Sequence, residues 1–530
     1  MTFRYDKDKE EFIITDASRI EYNQIELWLT RFVKGYKYIP SFKMGVWNGK
    51  ESYFRKGKIN LGLWRELYKA CKELDVSFKI ENKEDVPINK DITLDDVTSF
   101  CKDYFKDHKI YDKKTKQWVE FMPYEHQIQS AYKIMRNRYC MCEVATSGGK
   151  TLIISIIIFY TLKYINPNAK FLIIVPSITL VTQFYENIKE YNVGVNNMKS
   201  YVNNTLDMTN YSNITITEIM SEKPIVNENS NIYIGTYQSL GDYDKSFFKQ
   251  FHTIITDEAH KSSSSTIKKI LKNTFRSAYS RFGVSGTFPP DDSYEILTIE
   301  SVLGPKIATV TANELKNKGI ISPVIIKSII LNHNDSGFGD KLRSIKKITD
   351  GKDVYDLELK YIHNSQKRKN YIKKIISHCD KNTLLLFYTI EYGMELYKML
   401  TDTFPDKLFY YIDGEISGKE REVIKKEMEK TDDGKTRILI ASFGTLSTGV
   451  SINALFNVIF ADSFKSEQII IQSIGRILRL HADKKIATVY DLVDIFSPTK
   501  MNNILYHHYI ERTKYYKKRM YPYKEYKINL

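Results

Sequence analysis

The sequence predicts an α/β protein: two doubly wound parallel-sheet domains in tandem, preceded by a small α+β domain. Three observations predict it. From residue 108 to about 320, short near-continuous apolar runs recur and are followed by helical patterns: Phe171 to Val175, Ile232 to Gly235, Thr253 to Thr256 and Phe282 to Val284. Parallel strands covered on both faces read this way. A second series opens after Lys318-Gly319-Ile320-Ile321-Ser322-Pro323, with Val324 to Leu331, Thr383 to Tyr388, Leu408 to Ile412, Arg437 to Ala441, Asn457 to Phe460 and Ala487 to Asp491. Before residue 108 the texture differs. Phe12 to Thr15 and Glu51 to Phe54 alternate like half-buried strands, and Trp64 to Leu74 carries Trp64, Leu67, Tyr68 and Cys71 at helical spacing. The expected organisation is therefore 1–107, 108–320, 321–497, and a basic tail over 498–530. Between Asn332 and Lys369 the chain is polar and basic-leaning, and reads as an insertion or helical excursion.

Length and composition fit this plan. A chain of 530 residues suits about three to four domains, and 42% hydrophobic with 27% charged residues lies outside the range of disordered chains. The longest apolar stretch, Thr151 to Leu162, is shorter than the about 20 residues that a spanning helix needs. It reads as a buried helix, with no membrane partner. The start mixes both charges and has no apolar core, so no secretory or transit signal is expected. Five cysteines without CxxC spacing argue against a disulfide framework or a structural zinc site and suit a reducing cytoplasm.

The charge is unevenly placed. Lys+Arg number 79 and Asp+Glu 64, a net +15. Arg31 to Lys72 holds 11 basic and 2 acidic residues, and Pro498 to Leu530 holds 8 and 2, so these segments carry +9 and +6 and the remainder balances at 60 against 60. In the first segment Lys34, Lys37, Lys43, Lys50, Arg55, Lys56 and Lys58 interleave with rings that include Trp47. Cations among aromatics suit a surface that tracks a phosphate backbone and stacks on bases. The alternative is that the rings are core and the lysines a solvated face; the tail has the same two readings.

The strongest local signal is Ala145-Thr146-Ser147-Gly148-Gly149-Lys150-Thr151, set before the apolar helix. Amides of a tight glycine turn and a helix N-terminus can surround phosphate oxygens, Lys150 can reach the β and γ phosphates, and Thr151 can ligate Mg²⁺. The loop departs from GxxxxGK[ST] because Val144 stands at the first glycine position. Asp257-Glu258-Ala259-His260 follows the run Ile254 to Thr256. At the carboxyl end of a parallel strand, Asp257 can hold the Mg²⁺ shell and Glu258 can activate the attacking water. His260 reads as coupling this site to its surroundings, because no other His or Cys lies at ligand spacing. Ser285-Gly286-Thr287 ends another strand. In the second series Gln472, Arg476 and Arg479 fall on one helix face, and two guanidiniums together suit an anion such as a γ-phosphate. A surface pair contacting a carboxylate is the rival reading. Asp356-Leu357-Glu358-Leu359-Lys360 resembles the end of a nuclease site, but no upstream acidic partner is evident and a solvated helix face explains it.

The ordered set Tyr124-Glu125-His126-Gln127, ATSGGKT, Ile174-Val175-Pro176-Ser177, Gly235-Thr236-Tyr237-Gln238, DEAH, SGT, Phe443 to Val450 and QSIGRILR resembles the motifs of superfamily 2 helicases. More narrowly, GYKYIPSFKMGVWNGK, ASFGTLSTGVSI and IGRILRLHADKKIATVYDLVD resemble the recombination helicases of large tailed bacteriophages. The resemblance implies two RecA-like domains, ATP and Mg²⁺ as cofactors, and DNA as partner, branched or at duplex-single-strand junctions, with RNA:DNA hybrid also open. It implies 3′ to 5′ polarity, a monomer or transient oligomer, and the cytoplasm of a host cell as location. Gln127 would read adenine; Thr146, Ser147, Gly148, Gly149, Lys150 and Thr151 would hold the triphosphate; Glu258 would be the base. Gly449 would lie near the nucleotide, and Arg476 and Arg479 would complete the site. Thr179, Thr236, Gln238, Thr389 and Ser442 to Thr445 match regions that hold the nucleic-acid strand. Ser451 departs from the family, where many relatives have Asp. A translocase that does not separate strands, and an RNA helicase, both stay open from the residues alone.

Overall fold

The apolar runs become strands of two parallel sheets, all of them interior except Leu408–Ile412, which is an edge. A computed structural model describes residues 1–112, 117–192, 214–220, 229–346, 351–446, 452–481, 483–497 and 503–530. The chain divides into two units, the first comprising Met1–Val144 with Gly149–Val310 and the second Thr311–Leu530 with the loop Ala145–Gly148.

The first unit's main sheet has seven strands, in the spatial order Ile216–Ile219, Ile232–Thr236, Phe171–Val175, Thr253–Asp257, Ser280–Ser285, Tyr139–Val144 and Lys306–Val310. Every neighbouring pair is parallel. Its five interior strands are buried along their whole length, whereas the edge strand Lys306–Val310 is mostly half-exposed. Four of the five interior strands carry the hydrophobic runs of the sequence; the fifth, Tyr139–Val144, is equally buried but mixes Cys, Met and Glu. The helix Lys150–Tyr160 is buried from Leu152 to Tyr160, as its nine consecutive low-exposure side chains require a covering layer on every face.

The N-terminal module is α+β, as expected. Its mixed sheet runs Lys58–Asn60, Glu11–Asp16, Thr2–Asp6, Lys79–Ile80, with only the last pair parallel. The helix Arg19–Trp28 starts at a capping box, where Ser18 accepts from the Glu21 amide and Glu21 from the Ser18 amide. The helix Trp64–Glu73 buries Leu67, Ala70 and Cys71. This module is seated firmly on the first sheet's layer. Phe3, Phe12, Phe54 and Leu67 belong to one core with Leu271, Val302 and Leu303, and buried Glu10 pairs with buried Arg281 while accepting from the Arg276 amide at 2.7 Å. Gly62 lies against the helix Tyr294–Leu303 so closely that a Cβ there would stand 1.9 Å from the Glu300 carbonyl oxygen. Only glycine permits that approach.

The second sheet runs Leu408–Ile412, Arg437–Ser442, Thr383–Phe387, Asn457–Phe460, Ala487–Ile495, Val324–Asn332, Tyr523–Asn529, again parallel throughout. Counted in chain sequence, both sheets have the same order: third, fourth, second, fifth, sixth, first, seventh. This corrects the expected tail. Within 498–530, residues Ile504–Lys518 form a helix and Tyr523–Asn529 form the seventh strand, paired to Val324–Asn332. The strand is polar and exposed on most of its length because it is an edge, so hydrophobicity gave no sign of it. The stretch after Asn332 is helical, with helices Ser336–Lys346, Gly351–Asn364 and Gln366–Ser377. Glu358 is not on a solvated face. It is buried, and its carboxylate accepts from the amides of Ile504 and Leu505 at 2.9 Å each, capping the helix Ile504–Lys518. The five cysteines are free and buried. Among the described residues no helix is long and apolar enough to cross a membrane.

Candidate active site

The loop after Tyr139–Val144 turns tightly before Lys150. The Gly148 amide bonds the Ala145 carbonyl at 2.9 Å, Ser147 has φ +69° and Gly149, the residue before the helix, φ +82°. Two left-handed residues in four turn the backbone amides inward, the arrangement that receives phosphate oxygens at a helix N-terminus. Gly149 is favoured by its φ, and Gln127 Nε2 packs directly on it, 2.0 Å from where a Cβ would stand. Gln127, near the start of the helix Glu125–Asn137, is thereby brought against the loop, with its Oε1 accepting from the Tyr124 amide at 2.8 Å.

Asp257 closes a central strand, two strands from Tyr139–Val144, and Glu258 follows with φ +49°. A non-glycine residue in this region is strained, and such strain clusters at functional sites. Lys150 Nζ donates to Glu258 Oε1 at 3.0 Å, and His260 Nδ1 lies 3.2 Å from Oε2. The same His260 nitrogen is 2.8 Å from Ser285 Oγ, whose hydroxyl also reaches the Thr287 carbonyl at 2.8 Å. Lys150, Glu258, His260 and the end of the next strand thus form one polar network. Burial would raise the Glu258 carboxyl, but Lys150 and His260 outweigh it and hold the group well below the usual carboxylate range. Asp257 is pushed the other way, up to about 6, first by burial and then by Glu258, with Lys150 opposing. Adjacent acids with opposite shifts suit different roles.

In the second unit the helix Glu467–Ile477 carries Gln472 and Arg476 one turn apart, but it stops before Arg479. The expectation of three residues on one helix face is corrected for Arg479. Leu478 is the cap, and Arg479 sits on the following bend, its Nη1 donating to Asn453 Oδ1 at 2.9 Å. Gly449 and Ser451 lie outside the described residues.

The strand-holding candidates fall at carboxyl ends of strands. Val175 and Thr236 are in register on neighbouring strands, so Thr179 and Gln238, which follow them, share one edge of the first sheet. Gln238 is exposed; the Thr236 hydroxyl instead accepts from the Ser239 amide at 3.2 Å and caps a short helix. Thr445 belongs to the turn of helix Phe443–Leu446 that follows Arg437–Ser442. Of the proposed contact set, Lys50 opens the second of the paired strands Thr30–Phe32 and Lys50–Ser52, and Lys34, Lys37, Lys43 and Trp47 lie on the one excursion between them. Its rings form a small stack of their own: Phe32 on Tyr36 at 4.6 Å, Tyr36 edge-on to Phe42 at 4.8 Å, and the Lys50 ammonium 4.7 Å above Phe32. Tyr38, Met44 and Val46 are exposed there at 82%, 70% and 78%. Phe54 is core, whereas the excursion is surface. Lys34 is tied to Glu295 at 3.1 Å and Arg55 to Glu51 at 3.0 Å; Lys56 is exposed and Lys58 is half-buried in its strand.

Residues 120–290 match the res subunit of type III restriction enzymes, and residues 367–481 the helicase conserved C-terminal domain. The ATP-dependent DNA helicase uvsW of Enterobacteria phage T4 is 27% identical over 490 residues, which span 90% of this chain and 88% of that one. The two matched regions are the paired domains of a superfamily 2 helicase. Among solved structures, the ATP-dependent Type ISP restriction-modification enzyme LlaBIII bound to DNA aligns with TM-score 0.55 at 15% identity, over 88% of the helicase and 36% of that chain. An HsdR fragment of a type I restriction enzyme from Vibrio vulnificus YJ016 aligns with TM-score 0.53 at 14% identity, over 83% and 84% of the two chains. These two likenesses are of fold. Sequence reasoning about the helicase passed over Asn453 and Lys484, both of which engage Arg479. An isolated Asn and one Lys of a Lys-Lys pair carry no spacing signal.

Proposed function

We propose that the helicase hydrolyses ATP to move along DNA with 3′ to 5′ polarity, remodelling forks, Holliday junctions and R-loops in recombination, repair and replication. It acts as a monomer or transient oligomer in the cytoplasm of a host cell. The observation that carries the ATPase assignment is the Lys150–Glu258 pair at 3.0 Å within the His260 and Ser285 network. Without nucleotide, Lys150 neutralises the base. A triphosphate entering the loop offers Lys150 a stronger anion, and its ammonium leaves Glu258 for the β and γ phosphates. Glu258, still oriented by His260, is then free to take a proton from the attacking water. Arg476 and Arg479 are assigned to the γ-phosphate, a role whose loss typically lowers turnover by about 10³ to 10⁵. Gly449 is assigned to the nucleotide, and Thr179, Gln238 and Thr445 to the strand.

Mg²⁺ fits the residues present. Asp257 Oδ1 is buried and has no partner among the described residues, while Thr151 opens the helix behind the loop. Together they would hold the ion, which would withdraw charge from the transferring phosphoryl group.

DNA-stimulated ATP hydrolysis by Lys150→Ala and Glu258→Gln tests the chemistry: retained turnover in either variant overturns the catalytic assignment. ATPase stimulation across single-stranded, duplex, forked, four-way and RNA:DNA ligands, read beside strand displacement on fork and blunt duplex, tests the substrate. Preference for RNA, or stimulation without displacement, overturns the branched-DNA reading.

A further inference from the structure

The bend that carries Arg479 is held by a residue with no assigned role. The carbonyls at the end of a helix lack partners within it, and Lys484 folds back over the end of Glu467–Ile477 to supply them. Its ammonium donates to the carbonyl of Ile477 at 3.1 Å, of Arg479 at 2.8 Å and of Asn453 at 3.1 Å. An ammonium has three donors, so the match is saturated. Lys484 is only 7% exposed and lies 5.2 Å above the Phe456 ring. Burial and the Arg479 cation push its pKa down to about 7, with Glu429 opposing. Fully hydrogen-bonded, the group can keep its place despite that cost.

The three carbonyls belong to two separate segments, and each segment is fixed from another side as well. The Asn453 and Ala454 amides donate to the Glu429 carboxylate at 2.6 and 3.3 Å. The Leu478 carbonyl accepts from the Ser322 amide at 2.7 Å, and the Arg479 carbonyl from Ser322 Oγ at 3.3 Å. Between these clamps the Arg479 guanidinium rests on the Asn453 side chain, and the Lys484 ammonium bridges the main chain of both.

We propose that Lys484 is a positioning residue for Arg479, locking the segment that follows residue 451 to the end of the arginine helix so that the guanidinium swings from Asn453 to phosphate on an immobile backbone. The proposal rests on the assignment of Arg479 to the γ-phosphate. A Lys484 that merely capped the helix would affect stability and leave the chemistry of folded molecules alone.

The test is a double-mutant cycle on the full-length helicase, read by single-turnover ATP hydrolysis on forked DNA and by thermal melting. Lys484→Met removes the donors at nearly the same length. The expected result is a drop of at least tenfold in the hydrolysis rate with KM for ATP changed less than threefold, and no additional drop when Lys484→Met is added to Arg479→Ala. Lys484→Arg, which keeps charge and donors, is expected to recover part of the rate. If Lys484→Met melts below the assay temperature, Lys484→Gln passes through the same cycle. A rate within twofold of wild type beside an inactive Arg479→Ala, or a double variant showing the product of both losses, overturns the positioning role and leaves the ATPase reading standing. An Arg479→Ala variant with wild-type turnover overturns the parent assignment, and the proposal with it.

Discussion

The two seven-stranded sheets share one strand order, yet corresponding strand ends carry opposite kinds of carboxylate. In the first sheet the fifth strand ends at Asp257, whose buried Oδ1 has no partner among the described residues, followed by the strained Glu258. In the second sheet the fifth strand is followed by Asp462, and both of its oxygens are taken, by the Tyr388 amide at 2.7 Å and by His363 Nε2 at 2.6 Å. The turn after the first strand differs in the same sense. One is the glycine loop that leads to Lys150; the other leads to His333, which with Arg368 surrounds Asp494 at 2.8 and 2.9 Å. A carboxylate with satisfied valences is scaffold, and one left open or strained awaits a substrate.

The contrast is broken most sharply by exchanging the two kinds of acid. Glu258→Gln is expected to lower DNA-stimulated turnover about 10² to 10⁴-fold with little change in melting temperature. Asp462→Ala, by leaving an amide and an imidazole unpaired, should cost on the order of 2 kcal/mol of stability with turnover per folded molecule preserved. Similar turnover losses in both would end the distinction. Among the scaffold acids the larger stability loss is at Asp494: Arg368→Met strands that buried group and should cost about 3–5 kcal/mol, read by denaturant melts resolving the second unit. Burial would raise the Asp494 carboxyl, but Arg368 and His333 outweigh it and lower it to about 2. Its folded value lies below the unfolded one, so this stability is present above about pH 4 and is lost as pH falls toward 2. Asp494→Asn should flatten that acid limb of the melting profile.

The first unit also bears the N-terminal module, which has no counterpart among the described residues of the second. Gly62→Ala pushes a methyl into the Glu300 carbonyl and should cost about 1–3 kcal/mol, seen as earlier melting of the first unit alone. Smallest in energy, Lys37→Ala and Lys43→Ala on the exposed excursion should each reduce the slope of log K against log salt for duplex DNA by about 0.9. An unchanged slope would remove this face from the binding surface. Substitution is the cleaner probe here, because deleting residues 1–107 would strip Phe3, Phe12 and Phe54 from a core they share with the first sheet.

The interior of both sheets was legible because a strand covered on two faces must be apolar, as in Phe171–Val175 and Thr383–Phe387. The polar edge strand escaped notice for the converse reason: Tyr523–Asn529 reads as a lysine-tyrosine tail, while the apolar edge Leu408–Ile412 was legible. The nucleotide loop and the acid pair were legible because phosphate chemistry constrains residue type and spacing together. The end of the arginine helix was not, since nothing in Ile477-Leu478-Arg479 marks a stop that depends on Lys484 arriving from a later loop. Glu358 was misjudged likewise, because its partners are amides almost 150 residues away.

The seventh strand also bears on how the chain is made. Asn332 and its bonding partner Asn529 are 197 residues apart, which at about 5–20 residues per second separates their synthesis by about 10–40 s. For most of that interval, until Ala487–Ile495 is made, Val324–Asn332, rich in Ile and Leu, has neither neighbouring strand. The second unit therefore passes through a period on the ribosome in which its first strand is an open apolar edge, the kind of segment that chaperones shield and that aggregates when they are scarce.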